Sequence, residues 1–187
     1  SREELEQIAA DLMVELAKEK PLKLEDIDNI KVRTYQIAIN ITDNDEPTTQ
    51  YASKFSLQFC TALALLKGRG GLDDFNEDTL WDEDIRTLMK RVEVVVDPEI
   101  DGAYPEKWGA IVEVRLKNGE TITKETDYPK GDPENPVTAD DLVNKFMDLA
   151  KRLPERERKA FADKVLDLHK IETVNELMDS LHTTTVG

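Results

Sequence analysis

Apolar residues at Leu5, Ile8, Ala9, Leu12 and Leu16 recur at steps of three and four, which predicts an amphipathic helix ended by Pro21. Ser1 and Glu4 form a capping-box pattern at its start. From Ile30 the period falls to two. Ile30, Val32 and Thr34, then Ile37, Ile39 and Ile41, predict a strand or an interrupted pair of strands, closed by the acidic segment from Asp43 to Glu46.

A second helix is expected from about Thr49 to Lys67. Phe55, Phe59, Ala62, Leu63 and Leu66 make one stripe, and Ala52, Cys60 and Ala64 another, so this helix should be largely buried. Its polar line, Lys54, Gln58 and Thr61, projects from one face, toward either solvent or a site. Gly68, Gly70 and Gly71 terminate it as a helix C-cap. Trp81, Ile85, Leu88 and Met89 then predict a short helix leading into a strand at Val92, Val94 and Val96.

Ile111 to Lys117 and Glu120 to Thr126 flank Asn118-Gly119, the pair suited to a two-residue type I′ turn. That turn would set Lys117 opposite Glu120 and Glu113 opposite Lys124, with Val112, Val114 and Leu116 on the other face. After a Pro/Gly-rich linker from Tyr128 to Pro136, Thr138 and Asp141 form a capping box ahead of Leu142, Val143, Phe146, Met147 and Ala150. Pro154 opens a helix bearing Phe161, Val165 and Leu168, and Thr173 with Glu176 caps a last one bearing Leu177, Met178 and Leu181. The fold class is therefore α+β: a small antiparallel sheet with packed helices over residues 1–130, then a linker and C-terminal helices over 131–187.

Composition narrows the function classes. With 39% hydrophobic residues and every apolar run bounded by polar or turn residues, the chain should be globular. The longest apolar stretch, near Cys60 to Leu66, is too short to cross a bilayer, and no signal-peptide pattern opens the sequence. The formal charge of −15 disfavours nucleic acids and anionic membranes. It also opposes polycarboxylates, so any anion site must be a local basic pocket. A single cysteine, Cys60, cannot form an internal disulfide and fits a reducing, cytoplasmic setting as a core residue.

Candidate chemistry is sparse. Asp74, Asn76 and Asp78 imitate the start of a calcium loop, but Thr79 stands where glycine is needed and Ile85 where the closing glutamate belongs. His169 and His182 lack ligand spacing. Lys67-Gly68-Arg69-Gly70-Gly71 follows a helix, whereas phosphate loops follow a strand. No pair of carboxylates is singled out for acid and base roles. Lys54, Ser56 and Gln58 remain: a polar opening in a buried helix that sets a cation and hydrogen-bonding groups against a carboxylate.

Three stretches resemble the MmgE/PrpD family. Ala52-Ser53-Lys54-Phe55-Ser56-Leu57-Gln58-Phe59, continuing through Ala62 to Arg69, is similar to the family helix that reads A-[KR]-F-S-L-x-[YF]. Tyr128 to Pro136, with Lys145-Phe146 beyond, resembles the link into the family's closing helices, and Asp26 to Val32 adds a third match.

The resemblance implies a lid-type α+β domain, with final helices that pack on a large N-terminal helical domain without counterpart in this sequence. It implies a hydro-lyase of the 2-methylcitrate dehydratase type acting on small polycarboxylates. Family alternatives are cis-aconitate decarboxylation and iminodisuccinate epimerisation, none with an obligatory metal or redox cofactor. A non-catalytic interaction domain is the alternative from another class. The family's catalytic His and Lys residues fall upstream of this sequence, so no catalytic residue is assigned. Lys54 and Ser56 match the family motif, Gln58 shares their helix, and Lys130 is a weaker candidate. A homodimer is expected, and the chain purified alone is expected to associate through its C-terminal stripes.

Overall fold

The computed structural model describes residues 2–179. Ser1 of the expected capping box, Leu181 and His182 lie outside the described residues. Contacts divide the chain into two compact units, Ser1–Pro136 and Val137–Gly187.

In the first unit, α1 (Arg2–Glu19) stops just before Pro21 as its period requires, and β1 (Ile27–Thr34) follows. Then come α2 (Gln36–Thr42), α3 (Gln50–Ser53), α4 (Leu57–Lys67), α5 (Glu77–Leu80) and α6 (Glu83–Met89). The unit closes with β2 (Val92–Val96), α7 (Pro98–Ala103), β3 (Ala110–Leu116) and β4 (Thr121–Thr126). The strand order is β2-β1-β3-β4. The fold is α+β, but its sheet is mixed rather than antiparallel throughout, because β2 runs parallel to β1. The long helical crossover from Thr34 to Val92 returns the chain in the same direction, which a short turn cannot do.

Helices α1 and α4 pack together on one face of the sheet. Met13 and Leu16 of α1, Leu63 and Leu65 of α4, Ile30 and Val32 of β1 and Val112 and Val114 of β3 form one buried core. The alternation of β1 and β3 sends Ile30, Val32, Val112 and Val114 to that face and leaves Lys31, Arg33, Glu113 and Arg115 on the other, in water or ion pairs.

Three local expectations give way to tertiary structure. Ile37, Ile39 and Ile41 lie in helix α2, not a strand. The positions that enter the core there are Tyr35, Ala38 and Thr42, at helical spacing, and the Thr42 hydroxyl donates to the Ala38 carbonyl at 2.8 Å. Trp81 does not share a helix with Ile85, because Asp82 intervenes as N-cap of α6, accepting from the amides of Asp84 and Ile85.

The third concerns the hairpin. It exists where expected, but its register is shifted: Val112 faces Lys124 and Glu113 faces Thr123. Leu116 accepts from the Gly119 amide and donates to the Glu120 carbonyl at 2.7 Å, so Lys117, Asn118 and Gly119 form a three-residue loop. Only Gly119 takes a positive φ, +90°, whereas a type I′ turn needs one at Asn118 too. The shift turns Lys124 toward the helices, where it binds Glu15 at 3.2 Å and Glu19 at 2.8 Å.

The second unit comprises α8 (Ala139–Leu149), α9 (Glu155–Leu166) and α10 (Val174–Met178). Thr138 and Asp141 make the expected capping box. The rings of Phe146 and Phe161 lie 5.2 Å apart. Among the described residues of this unit only Ala162 is buried, while Leu142, Leu149, Val165, Leu166 and Leu168 are exposed.

Candidate functional site

The helix expected from Thr49 to Lys67 is broken into α3 and α4, and the break is the elbow that holds the candidate residues. Thr49 caps α3 by accepting from the Ala52 amide at 3.0 Å. Ser56 then leaves the helical region, with φ −115° and ψ 110°, and starts α4 afresh. Its hydroxyl accepts from the Phe59 amide at 3.0 Å and donates to the Asn44 carbonyl at 2.5 Å. One side chain thus satisfies an orphan donor of α4 and fixes the preceding loop. At the other end Gly68 closes α4 in the left-handed conformation, φ +66°, as the glycine run requires.

Lys54, Ser56 and Gln58 are therefore brought onto one elbow, in different surroundings. Ser56 is fully buried and Gln58 is 3% exposed. Gln58 donates to Asp43 at 2.5 Å, tying the first turn of α4 to the end of α2. Gln58 Oε1 and the Thr61 hydroxyl, one turn on, are buried without a protein hydrogen-bond partner among the described residues. Lys54 is half-buried, its ammonium 6.0 Å from the Phe75 ring centroid, and it has no carboxylate partner among the described residues. Lys130 is exposed in the linker. Cys60 is buried, its thiol 3.5 Å from the Ser53 carbonyl.

The sequence did not point to the cleft of about 570 Å³ at the C-terminal ends of β1 and β2, lined by Asp97, Glu99, Lys107, Glu125, Asp127 and Tyr128 among others. Asp97, though it lines the cleft, is itself buried. The amides of Ile100 and Glu99, with the Arg33 guanidinium, hold its carboxyl below the usual 3.8. Asp97 in turn raises Arg33, which also pairs with Glu113 at 3.2 Å. Lys107 is spent on Asp127 at 2.5 Å. The remaining carboxylates make this cleft repel a small polyacid. The signal available in the sequence was Asp97 before Pro98, a cap followed by proline at the first helical position. Tyr35 stacks on Tyr104 at 4.7 Å beside it, a contact no local pattern announces.

No group of three or more His, Cys, Asp or Glu side chains is placed to hold a metal among the described residues. The calcium-like segment has other duties: Asn76 caps α5, and Asp74 pairs with Arg69 at 2.9 Å. No described helix is long and apolar enough to cross a membrane.

The chain matches the MmgE/PrpD C-terminal domain over residues 3–169. It is 30% identical over 167 residues to the mitochondrial 2-methylcitrate dehydratase of Yarrowia lipolytica, covering 83% of this chain and 31% of the relative. It is 27% identical over 164 residues to the 2-methylcitrate dehydratase of Salmonella typhimurium, covering 82% and 34%. With the cis-aconitate decarboxylase of Mus musculus it shares 25% identity over 107 residues, 57% of this chain and 22% of that protein. The chain spans about a third of the length of the dehydratases it matches.

Proposed function

The chain belongs to the MmgE/PrpD family as its C-terminal domain, and from that premise we propose that it serves as part of a hydro-lyase of the 2-methylcitrate dehydratase type. The observation that carries this reading is the match to dehydratases along more than four fifths of the chain. The substrate is a small polycarboxylate, and the groups that move protons come from polypeptide upstream of this domain. The scarcity of paired acid and base groups on the elbow supports that division of labour.

Within this proposal Lys54 meets a substrate carboxylate. A chain of charge −15 can attract such a substrate only through a local cation, and Lys54 is half-exposed beside an aromatic ring with no carboxylate partner among the described residues. Ser56 and Gln58 hold the elbow that presents it, through the Asn44 and Asp43 contacts. The protein to which this domain belongs would work as a homodimer in a reducing, cytoplasmic compartment. The buried lone cysteine supports the compartment, and the exposed aliphatics of α8 and α9 support association.

Dehydration of 2-methylcitrate, followed through absorbance of the unsaturated product, tests the proposal. The 187-residue chain alone is expected to be inactive, and robust turnover by it would sink the division of labour. In a longer protein containing this domain, Lys54→Met should raise KM about tenfold with kcat little changed, as for a contact made equally in ground and transition states. The similarity to a cis-aconitate decarboxylase favours decarboxylation as the second reading, so cis-aconitate belongs in the same assay.

A further inference from the structure

Tyr51 and Trp81 are 71% and 55% exposed, unusual for rings of this size. Both are also held in place. The Trp81 indole donates to Glu77 at 3.1 Å, and the other oxygen of that carboxylate accepts from Gln50, the neighbour of Tyr51, at 3.2 Å. Arg86 lies over the Trp81 ring at 4.6 Å and is itself anchored on the carbonyls of Leu80 and Pro47, each at 2.6 Å. Tyr51 leans on Phe55 at 4.9 Å, next to Lys54. Rigid, solvent-facing aromatics of this kind lose little entropy on association and are the side chains that dominate interfaces.

The surroundings specify the occupant. Exposed Asp78, Glu83 and Asp84 lie within three residues of Trp81, and exposed Asp45 and Glu46 directly precede Pro47, whose carbonyl binds the Arg86 that covers the Trp81 ring, whereas Arg86 is committed to carbonyls. A second copy would bring like charges together, and an anionic lipid surface would be repelled. The dehydratases that match this chain carry about two thirds of their length outside the matched domain. The face is continuous with the Lys54 elbow through Tyr51 and Phe55.

We propose that the Tyr51–Trp81 face docks the upstream polypeptide of the family protein, against a surface that is apolar at its centre and basic at its rim. This rests on the reading that the domain works within a longer enzyme, and it names the surface by which the two parts meet.

Tryptophan quenching tests it, in a Trp108→Phe background and with every tryptophan of the upstream part of the chimera replaced by phenylalanine, so that Trp81 alone reports in both proteins. The full 187-residue chain is compared with a chimera in which it replaces the corresponding C-terminal third of the Yarrowia lipolytica protein. In the free chain Trp81 should be quenched readily by acrylamide and, with each constant divided by that for free N-acetyltryptophanamide, better by caesium than by iodide because of its acidic rim. In the chimera acrylamide quenching should fall about fivefold, since anchors of an interface are desolvated. Equal quenching in the two proteins overturns the inference whether or not the chimera dehydrates methylcitrate. Normalised iodide quenching that equals or exceeds caesium quenching in the free chain overturns the basic-rim assignment. Shielding of Trp81 without turnover supports the docking face and counts instead against the proposed reaction. Shielding of Trp81 by self-association of the free chain, lost on dilution, assigns the face to a second copy and refutes the proposal.

Discussion

Lys124 of β4 donates to Glu19 of α1 at 2.8 Å, from the same side of the sheet as Val112, its cross-strand partner. A charged residue on the core-facing side of an edge strand is tolerated because its ammonium emerges at the margin, where Glu15 and Glu19 stand one turn apart on α1. The contact fastens the first helix to the edge of the sheet.

That clamp gives the domain a pH signature. The hydrogen bond from Lys124 lowers Glu19 from 4.5, and the bond to Glu19 raises Lys124 from 10.5. A depressed carboxyl stabilises the fold above its ordinary value and loses that contribution as pH falls through its folded one. A raised lysine contributes below its ordinary value and loses it as pH climbs past the folded one. Lys124→Met should therefore be less stable than the parent across the range between 4.5 and 10.5, with the gap closing on either side. Urea midpoints measured against pH would show it; a gap of the same size below 4.5 would rule the clamp out.

Ser56→Ala should destabilise the first unit by about 1–2 kcal/mol, since it removes both the cap on Phe59 and the anchor on Asn44. Chemical denaturation reads this directly. A neutral result would mean that α3 and α4 join into one helix without loss.

The hairpin separates two turn geometries. With positive φ at Gly119 alone, Gly119→Ala should cost about 1 kcal/mol and Asn118→Ala only a few tenths. Nuclear Overhauser contacts across the strands should join Val112 to Lys124; contacts joining Glu113 to Lys124 would restore the two-residue turn.

Proteolysis within the linker from Tyr128 to Pro136 should leave a first unit that still unfolds cooperatively, because its core is complete without the rest. The released C-terminal piece, with Ala162 as its only buried described residue, should lose its helices in isolation. Circular dichroism of the two fragments checks this, and a cooperatively melting C-terminal piece would contradict it.

Local chemistry was enough to announce most elements. Pro21, Gly68, the Thr138–Asp141 box, Pro154 and Thr173 punctuate helices because caps and breakers act within one turn of chain. The motif around Lys54 and Phe55 carried the family for the same reason: it is contiguous.

What the chain could not disclose by itself depends on partners remote in sequence. Whether Ile37 to Ile41 are helix or strand was decided by Ala38 and Thr42 meeting the core. The hairpin register was decided by Glu15 and Glu19 drawing Lys124 inward, over a separation of more than a hundred residues. The Ser56 break depended on an Asn44 carbonyl twelve positions away, and the Trp81 face on Glu77 gathering Gln50 from another helix. Periodicity reports which side of an element is apolar; only assembled packing reports which polar atom finds a partner there, and that choice set the geometry of the candidate site.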